Sequence, residues 1–339
     1  MAPTKIFSSY PYSARRRRWL GMAISALVLG AWSAHAVSRE PLPVVATFSI
    51  LGDMVKEVGG DRVSVTTIVG PNTDSHGFEP KPQDAKALLG AKVLVLNGLD
   101  FEPWLPRLSK ASGFEGLSVL ASAGVKVRHM ADSHQEAAGK GKGKHDHAHG
   151  RKQAHDHQHG EVDPHAWQDL ANGMIYARNI ADGLAKADPR NASYYESRAN
   201  SYIARMKALD NEVRTAIAAV PPERRRVISS HDAFGYFGDA YGVEFVPISG
   251  LSNQSEPSAQ DVARIIKLAR ETGVSGVFIE NMSNPVMAQQ IARESGVLMG
   301  GTLYADALGP ADQPASSYLG MFSWNAGRLV YVLKQSLQM

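Results

Sequence analysis

The sequence contains no cysteine among its 339 residues. Without cysteine the chain has no disulfide bond, no thiolate metal site and no cysteine that could carry a lipid. Its stability must therefore come from apolar cores. A chain of this length is large enough to form two compact domains with such cores.

The sequence also lacks an apolar run long enough for a comfortable membrane span. Its most apolar stretch, residues 19–32, is shorter than the roughly 20 residues that a spanning helix needs. It follows a run of arginines and precedes Ala34-His35-Ala36, which fits the rule for signal-peptide cleavage. We therefore expect residues 1–36 to be a signal peptide, and the mature protein to be periplasmic without a lipid anchor. A membrane anchor is the alternative, and the export route, Sec or twin-arginine, stays open.

The sequence has no large excess of positive or negative charge once the signal peptide is removed. The whole chain has 36 Lys and Arg residues against 33 Asp and Glu residues. Residues 1–36 hold five of the basic residues and none of the acidic ones, which leaves 31 basic against 33 acidic residues and a net charge of −2. No nucleic-acid-binding surface is therefore expected.

Short apolar strands alternate with helical segments through both halves of the chain. Residues 43–50 and 64–69, for example, predict buried strands, and a segment with helical spacing follows the first of them. The alternation predicts an α/β fold with two lobes, each a mainly parallel sheet flanked by helices. Between the lobes, a stretch without internal glycine or proline predicts one long rigid helix that joins them.

These patterns predict four parts of the chain. Residues 1–36 are the signal peptide, residues 37–187 the N-terminal α/β lobe, residues 188–220 the linking helix and residues 221–339 the C-terminal α/β lobe. For the linking helix, an ordinary long helix inside one domain is the alternative.

Histidine is concentrated in one region, because nine of the chain's twelve histidines lie between His129 and His165. Residues 129–160 are rich in Gly, Lys and His and have no apolar periodicity, which predicts a loop with weak metal affinity. The histidines expected to bind metal in this auxiliary way are His145, His147, His149, His155, His157 and His159. A solvated insertion with incidental affinity is the alternative.

Four further donors lie near the ends of predicted strands or at the entry to a helix. They are His76, His165, His231 and Asp306. In open parallel sheets, binding sites gather outside the carboxyl ends of strands, and three imidazoles with one carboxylate suit a tetrahedral Zn²⁺ site. Each also has an ordinary alternative: a solvated loop histidine, a helix cap, a satisfied core histidine or a turn aspartate.

Five segments carry a resemblance to a known family. They are residues 70–80 around His76, residues 95–104 (VLNGLDFEPW), residues 163–167 (DPHAW), residues 230–237 (SHDAFGYF) and residues 304–309 (YADALG). On these segments, from about residue 43 to the C-terminus, the chain resembles the periplasmic solute-binding proteins of zinc/manganese ABC importers, the ZnuA/TroA-like family.

The resemblance implies that His76, His165, His231 and Asp306 hold one tightly bound Zn²⁺. It implies a receptor, not an enzyme, that captures zinc and delivers it to the membrane permease of an ABC importer. Manganese-type relatives have a glutamate at the third position, so His231 favours zinc, because imidazole is a softer ligand than carboxylate. Zinc-type relatives often carry a His/Asp-rich loop, as here, but also a disulfide that this chain cannot form.

A manganese or iron receptor of the same fold is the main alternative. A zinc-dependent hydrolase would need an open coordination position, which four protein donors do not leave. We further expect a monomer, with a metal-loading accessory protein as a second partner. The carboxylates of Asp163, Asp232 and Glu79 are candidates to orient the ring N–H groups of the ligands.

Overall fold

Two parallel sheets form the framework of the chain. A computed structural model describes residues 40–130, 162–250 and 258–335. The strands of the first sheet are β1 (Leu42–Phe48), β2 (Val63–Val69), β3 (Val93–Leu96) and β4 (Leu117–Leu120), and those of the second are β5 (Arg226–Ser229), β6 (Glu244–Pro247), β7 (Gly276–Glu280) and β8 (Leu298–Leu303).

Nine helices within the described ranges pack against these sheets. They are α1 (Ser49–Gly59), α2 (Pro82–Gly90), α3 (Leu105–Ser112), α4 (Leu170–Ala187), α5 (Ala192–Ala218), α6 (Gly235–Tyr241), α7 (Ala259–Glu271), α8 (Pro285–Ser295) and α9 (Tyr318–Gln335). We call the first sheet with α1–α4 the first lobe and the second sheet with α6–α9 the second lobe. None of the described helices is long and apolar enough to cross a membrane.

Both sheets have the same strand order, β2-β1-β3-β4 in the first and β6-β5-β7-β8 in the second. Every strand pair is parallel. The last five residues of β1, Val44 to Phe48, are all buried, as expected for a strand covered by helices on both faces. The predicted two-lobed α/β fold is confirmed. The parallel order brings the carboxyl ends of neighbouring strands to the same edge of each sheet.

The long helix is also present. α5 has 27 residues, about 40 Å at 1.5 Å per residue, and a short 3-10 turn (Pro189–Asn191) precedes it. It packs against α1 and α4 of the first lobe and against α6 and α9 of the second. Buried Tyr195, Tyr202 and Met206 anchor it. It lies along both lobes instead of standing free between them, and the domain boundaries at residues 187 and 220 stay predictions.

Two helices begin later than the sequence pattern predicts. Helical spacing from Phe101 suggests a helix there, but α3 begins at Leu105, after a turn in which Leu99 and Asp100 have left-handed φ angles of 54° and 60°. Aspartate is a common N-cap residue, and Asp232 precedes an apolar helical pattern, but α6 begins only at Gly235 and the Asp232 amide donates to the Gly250 carbonyl. Ser258 caps α7, since its hydroxyl accepts from the Asp261 amide.

Asp53 on α1 connects the two lobes, because its carboxylate accepts a hydrogen bond of 2.8 Å from the Tyr318 amide at the start of α9. Burial raises the pKa of Asp53 to about 6 from its usual 3.8, although the Tyr318 bond opposes this. Between pH 4 and 6, the folded state therefore keeps a proton on Asp53 that the unfolded state has already released. The free energy of unfolding falls as the pH rises through this window.

We expect Asp53→Asn to stabilise the protein at pH 7.5 by up to about 3 kcal/mol and to leave its stability at pH 3.5 nearly unchanged, because asparagine cannot ionise. Urea unfolding at both pH values measures the difference. Asp182→Asn on the exposed side of α4 is the control. An equal gain for both variants, or a gain that does not depend on pH, would contradict the assignment.

Candidate metal centre

The fold brings the four predicted donors to one point between the lobes. His76 lies in the loop after β2, and His165 immediately precedes a 3-10 turn (Ala166–Gln168) that leads into α4. His231 and Asp306 follow β5 and β8 at the carboxyl edge of the second sheet. The side chains of His165, His231 and Asp306 are at most 1% exposed and that of His76 is 13% exposed, so the cluster is nearest to solvent at His76.

One donor atom from each residue lies within 4.8 Å of all the others. The Asp306 carboxylate is 3.5 Å from His76 Nε2, 3.4 Å from His165 Nε2 and 3.2 Å from His231 Nε2. His76 Nε2 and His165 Nε2 are 3.4 Å apart. Four donors around a Zn²⁺ ion at about 2.0–2.1 Å would be separated by about 3.3 Å, the edge of the tetrahedron.

Asp306 is a fully buried carboxylate. Neither of its oxygens accepts a hydrogen bond from the residues that the structure describes. Burial by itself would raise the pKa of Asp306, but the nearby His231 and His165 rings outweigh burial and hold this pKa well below its usual value. A buried charge of this kind needs a cation, and a metal ion between the imidazoles and the carboxylate would supply it.

His165 is oriented from behind by Asp163. Its Nδ1 donates to Asp163 Oδ1 at 2.8 Å, and its backbone amide donates to the same oxygen at 3.0 Å. The other Asp163 oxygen accepts from Arg128 Nη1 at 2.9 Å. Burial raises the pKa of Asp163, but the bonds to His165 and the charge of Arg128 lower it by more. The net shift of this pKa is therefore downward. With its proton on Nδ1, His165 presents the Nε2 lone pair to the centre.

His231 has an equivalent partner in Glu280, the last residue of β7. The His231 amide donates to Glu280 Oε1 at 3.0 Å, and His231 Nδ1 lies directly against Glu280 Oε2. Burial lowers the pKa of His231, whereas Glu280 and Asp306 raise it, with a net shift well above its usual value. A carboxylate behind a ring nitrogen is the usual way in which proteins orient a metal-binding histidine.

Sequence reasoning identified one of these two carboxylates. The predicted role of Asp163 in orienting a ring is confirmed, but within the described ranges Asp232 and Glu79 make no hydrogen bond to a candidate ligand. Glu280 was missed, although it ends a strand of the same sheet edge as His231 and Asp306, and this position is the signal that could have identified it.

Aromatic side chains form the wall of the centre on the first-lobe side. Phe101 meets the His76 ring edge-on, with ring centroids 4.9 Å apart. Trp167 packs against His165 at 5.4 Å, and its indole N–H donates to the Ala305 carbonyl, beside Asp306. These contacts hold the imidazoles in place and exclude water, which strengthens electrostatic interactions with a bound ion.

A buried polar turn supports this wall. Glu102 accepts hydrogen bonds from the Asn97 and Gly98 amides and from Thr47 Oγ1. The Asn97 side chain in turn donates to the Pro164 carbonyl at 3.0 Å, next to His165. The segment 95–104 thus fixes both Phe101 and the loop that carries His165.

The six histidines that are expected to bind metal weakly lie outside the described residues. They are His145, His147, His149, His155, His157 and His159. The described residues on either side of this segment are paired: His129 forms an isolated antiparallel bridge with Val162, and the Asp163 amide donates to the Arg128 carbonyl. The described residues that flank the segment, His129 and Val162, are thus paired with each other, and Val162 precedes His165 by three residues.

Two parallel-sheet lobes with a buried three-histidine, one-carboxylate cluster between them define a two-lobed metal-binding protein. Residues 44–332 match the sequence profile of the family described as zinc-uptake complex component A, periplasmic, and the chain belongs to this family. This confirms the family resemblance inferred from the sequence.

Three similar proteins place the chain more closely. It is 31% identical to the manganese-binding lipoprotein MntA of Halalkalibacterium halodurans, over 87% of this chain and 90% of MntA. It is 28% identical to the iron ABC transporter substrate-binding lipoprotein MtsA of Streptococcus pyogenes serotype M1, over 91% of this chain and 96% of MtsA. The solved structure of the periplasmic zinc-binding protein TroA of Treponema pallidum superposes with a TM-score of 0.74 at 26% identity, over 87% of this chain and 99% of TroA.

The chain is accordingly a metal-binding substrate-binding receptor of an ABC importer and not an enzyme, and it works with that importer's membrane components. The relatives carry the names of different metals, so family membership alone does not select one. Two of them are named lipoproteins, whereas this chain contains no cysteine that could carry a lipid, so the absence of a lipid anchor stays a prediction.

Proposed function

We propose that the protein is a zinc receptor. It captures Zn²⁺ outside the cytoplasm, in the periplasm, with His76, His165, His231 and Asp306 as the four ligands, and it delivers the ion to the permease of an ABC importer. The observation that carries this proposal is the third imidazole, His231, which is fully buried and set against Glu280. Three imidazoles and one carboxylate are a softer donor set than Mn²⁺ prefers.

The shape of the cluster supports the same metal. Four separations between donor atoms of the cluster, 3.2–3.5 Å, agree with the edges of a tetrahedron of short metal bonds. Four protein donors also leave no open position for a reactive water, which fits capture and delivery instead of catalysis. The proposed importer recognises the loaded receptor, and an accessory protein that loads the metal is a further proposed partner.

Competition between Zn²⁺ and Mn²⁺ tests the choice of metal. We expect the mature protein, incubated with equal concentrations of both ions and desalted, to retain zinc. We expect His231→Glu to shift the ratio of bound zinc to bound manganese towards manganese by about tenfold or more, because it exchanges an imidazole for a harder oxygen donor. Elemental analysis measures the ratio.

His129→Glu is the matched control, since it makes the same exchange at an exposed histidine outside the cluster. A wild-type protein that retains manganese in preference to zinc would instead establish the manganese receptor, the alternative that the name of MntA favours.

The histidine-rich segment has a separate proposed role, in which its imidazoles bind zinc weakly and raise the zinc concentration beside the tight site. Deletion of residues 133–160 is expected to remove one or more weak zinc equivalents in a calorimetric titration and to leave one tight equivalent, because no proposed ligand of the tight site lies in the segment. Loss of the tight equivalent would show that the four ligands are wrongly assigned.

A further inference from the structure

Arg128 connects the two lobes beside the metal centre. Its Nη1 donates to Asp163 Oδ2 at 2.9 Å, and its Nε donates to Asp239 Oδ2 at 3.0 Å. Asp163 belongs to the first lobe and orients His165, whereas Asp239 lies on α6, the helix that follows His231 in the second lobe. One guanidinium therefore links the two segments that carry facing imidazoles.

Two further features fix Arg128 in this position. Its backbone amide is 2.9 Å from the Tyr236 hydroxyl of α6 and donates to it. A Cβ atom at Gly235 would lie 2.2 Å from Arg128 Nη1 and 2.7 Å from Asp163 Oδ2, so only glycine leaves room for the guanidinium at the start of α6. The contact is thus built into the backbone of the second lobe.

The two second-lobe ligands are held to the first lobe in different ways. The Asp306 loop is tied by buried hydrogen bonds, because the Ala305 carbonyl accepts from Trp167 and Gln168 and the Leu308 amide donates to Ser49. On the His231 side, the contact with Asp239 is far more exposed, since 71% of the Asp239 side chain is accessible. It is therefore a contact that water and salt can reach.

We propose that Arg128 is a positioning residue for metal retention, which holds α6 against Asp163 and so keeps His231 facing His165, whose ring centroid is 5.5 Å away. The proposal rests on the proposed function, because it assumes that both histidines bind the same ion. Release requires these two ligands to part, and the link to Asp239 opposes their separation. Capture begins from separated ligands and does not depend on the link.

Zinc release from the loaded mature protein into excess chelator, followed by stopped flow, tests the proposal. Asp239→Ala removes the second-lobe half of the link. Arg128→Lys keeps the charge, but a single ammonium does not reproduce the fork that serves both carboxylates. Both variants are expected to release zinc about two to five times faster than the wild type, the range for an exposed ion pair, with association rates within about twofold of the wild type.

Glu244→Ala is the matched control, because it removes an exposed carboxylate whose partner, Arg226 at 2.7 Å, lies in the same lobe. Its release rate should equal that of the wild type. Sodium nitrate at high concentration should accelerate release from the wild type but not from Asp239→Ala, since salt screens an exposed pair. A merely structural role would lower the melting temperature without removing this salt dependence.

The outcomes separate the two proposals. A wild-type protein that retains no zinc overturns the proposed function, and this inference with it. A wild-type protein that retains zinc while Asp239→Ala and Arg128→Lys release it at the wild-type rate, or while Glu244→Ala is equally accelerated, overturns the role of Arg128 alone.

Discussion

Replacing Asp306 by asparagine is expected to weaken zinc binding by at least about a hundredfold. Zinc sites with four ligands provide about 10–16 kcal/mol, so that one ligand accounts for about 3 kcal/mol, and about 1.4 kcal/mol corresponds to a factor of ten. Asp306 is also the only carboxylate among the four proposed ligands and lies within 3.5 Å of an Nε2 atom from each of the three histidines. Asparagine has nearly the same shape but no charge to offer the ion.

Competition with a chromogenic chelator at pH 7.5 measures this loss. Asp312→Asn is the control, because it makes the same exchange at an exposed position six residues further along the chain. Melting temperatures of both metal-free variants show whether the fold is intact. An Asp306→Asn protein that folds and binds zinc as tightly as the wild type would remove Asp306 from the ligand set.

Acid is expected to weaken zinc binding even more strongly, by up to about a thousandfold between pH 7.5 and 5.5. A histidine must be neutral to bind a metal ion, and a free imidazole, with its pKa near 6.5, carries a proton about ten times out of eleven one pH unit lower; three such competing protons correspond to about a thousandfold. Glu280 and Asp306 raise the pKa of His231 despite its burial, so protons compete for that ring already at higher pH. The pKa of Asp306 is lowered, so its carboxylate stays ionised throughout this window.

Zinc titrations at half-unit intervals of pH give the steepness of this dependence. As the pH falls near pH 6, we expect the dissociation constant for zinc to rise by more than a factor of ten per pH unit, because more than one imidazole takes up a proton. Far-ultraviolet circular dichroism at each pH monitors folding. Equal affinities at pH 7.5 and 5.5 would contradict a site built from histidines.

The two-lobed fold could be predicted from the sequence because it depends on patterns that repeat along the chain. Buried strands such as β3 (Val93–Leu96) are short apolar runs between breakers, and α5 is marked by the absence of glycine and proline. The start of α3 was not predicted, since the turn before it contains left-handed residues at Leu99 and Asp100 and hydrogen bonds to Glu102 that local composition does not indicate.

The candidate ligands could be predicted for a different reason. His231 and Asp306 follow strand ends, and parallel sheets bring strand ends together, so that order along the chain predicts proximity in space. The supporting residues were harder to identify. Glu280 and Arg128 act through side-chain contacts across the fold, one behind His231 and one between Asp163 and Asp239, and nothing in their local sequence marks these partners.

Anomalous diffraction at the zinc edge from crystals of the zinc-loaded protein tests the central claim most directly. The account predicts one strong peak between the lobes, about 2.0–2.1 Å from an imidazole nitrogen of His76, His165 and His231 and about 2.0–2.2 Å from an Asp306 oxygen. A peak bound by other residues, or one that is out of bonding reach of any of these four side chains, would contradict it.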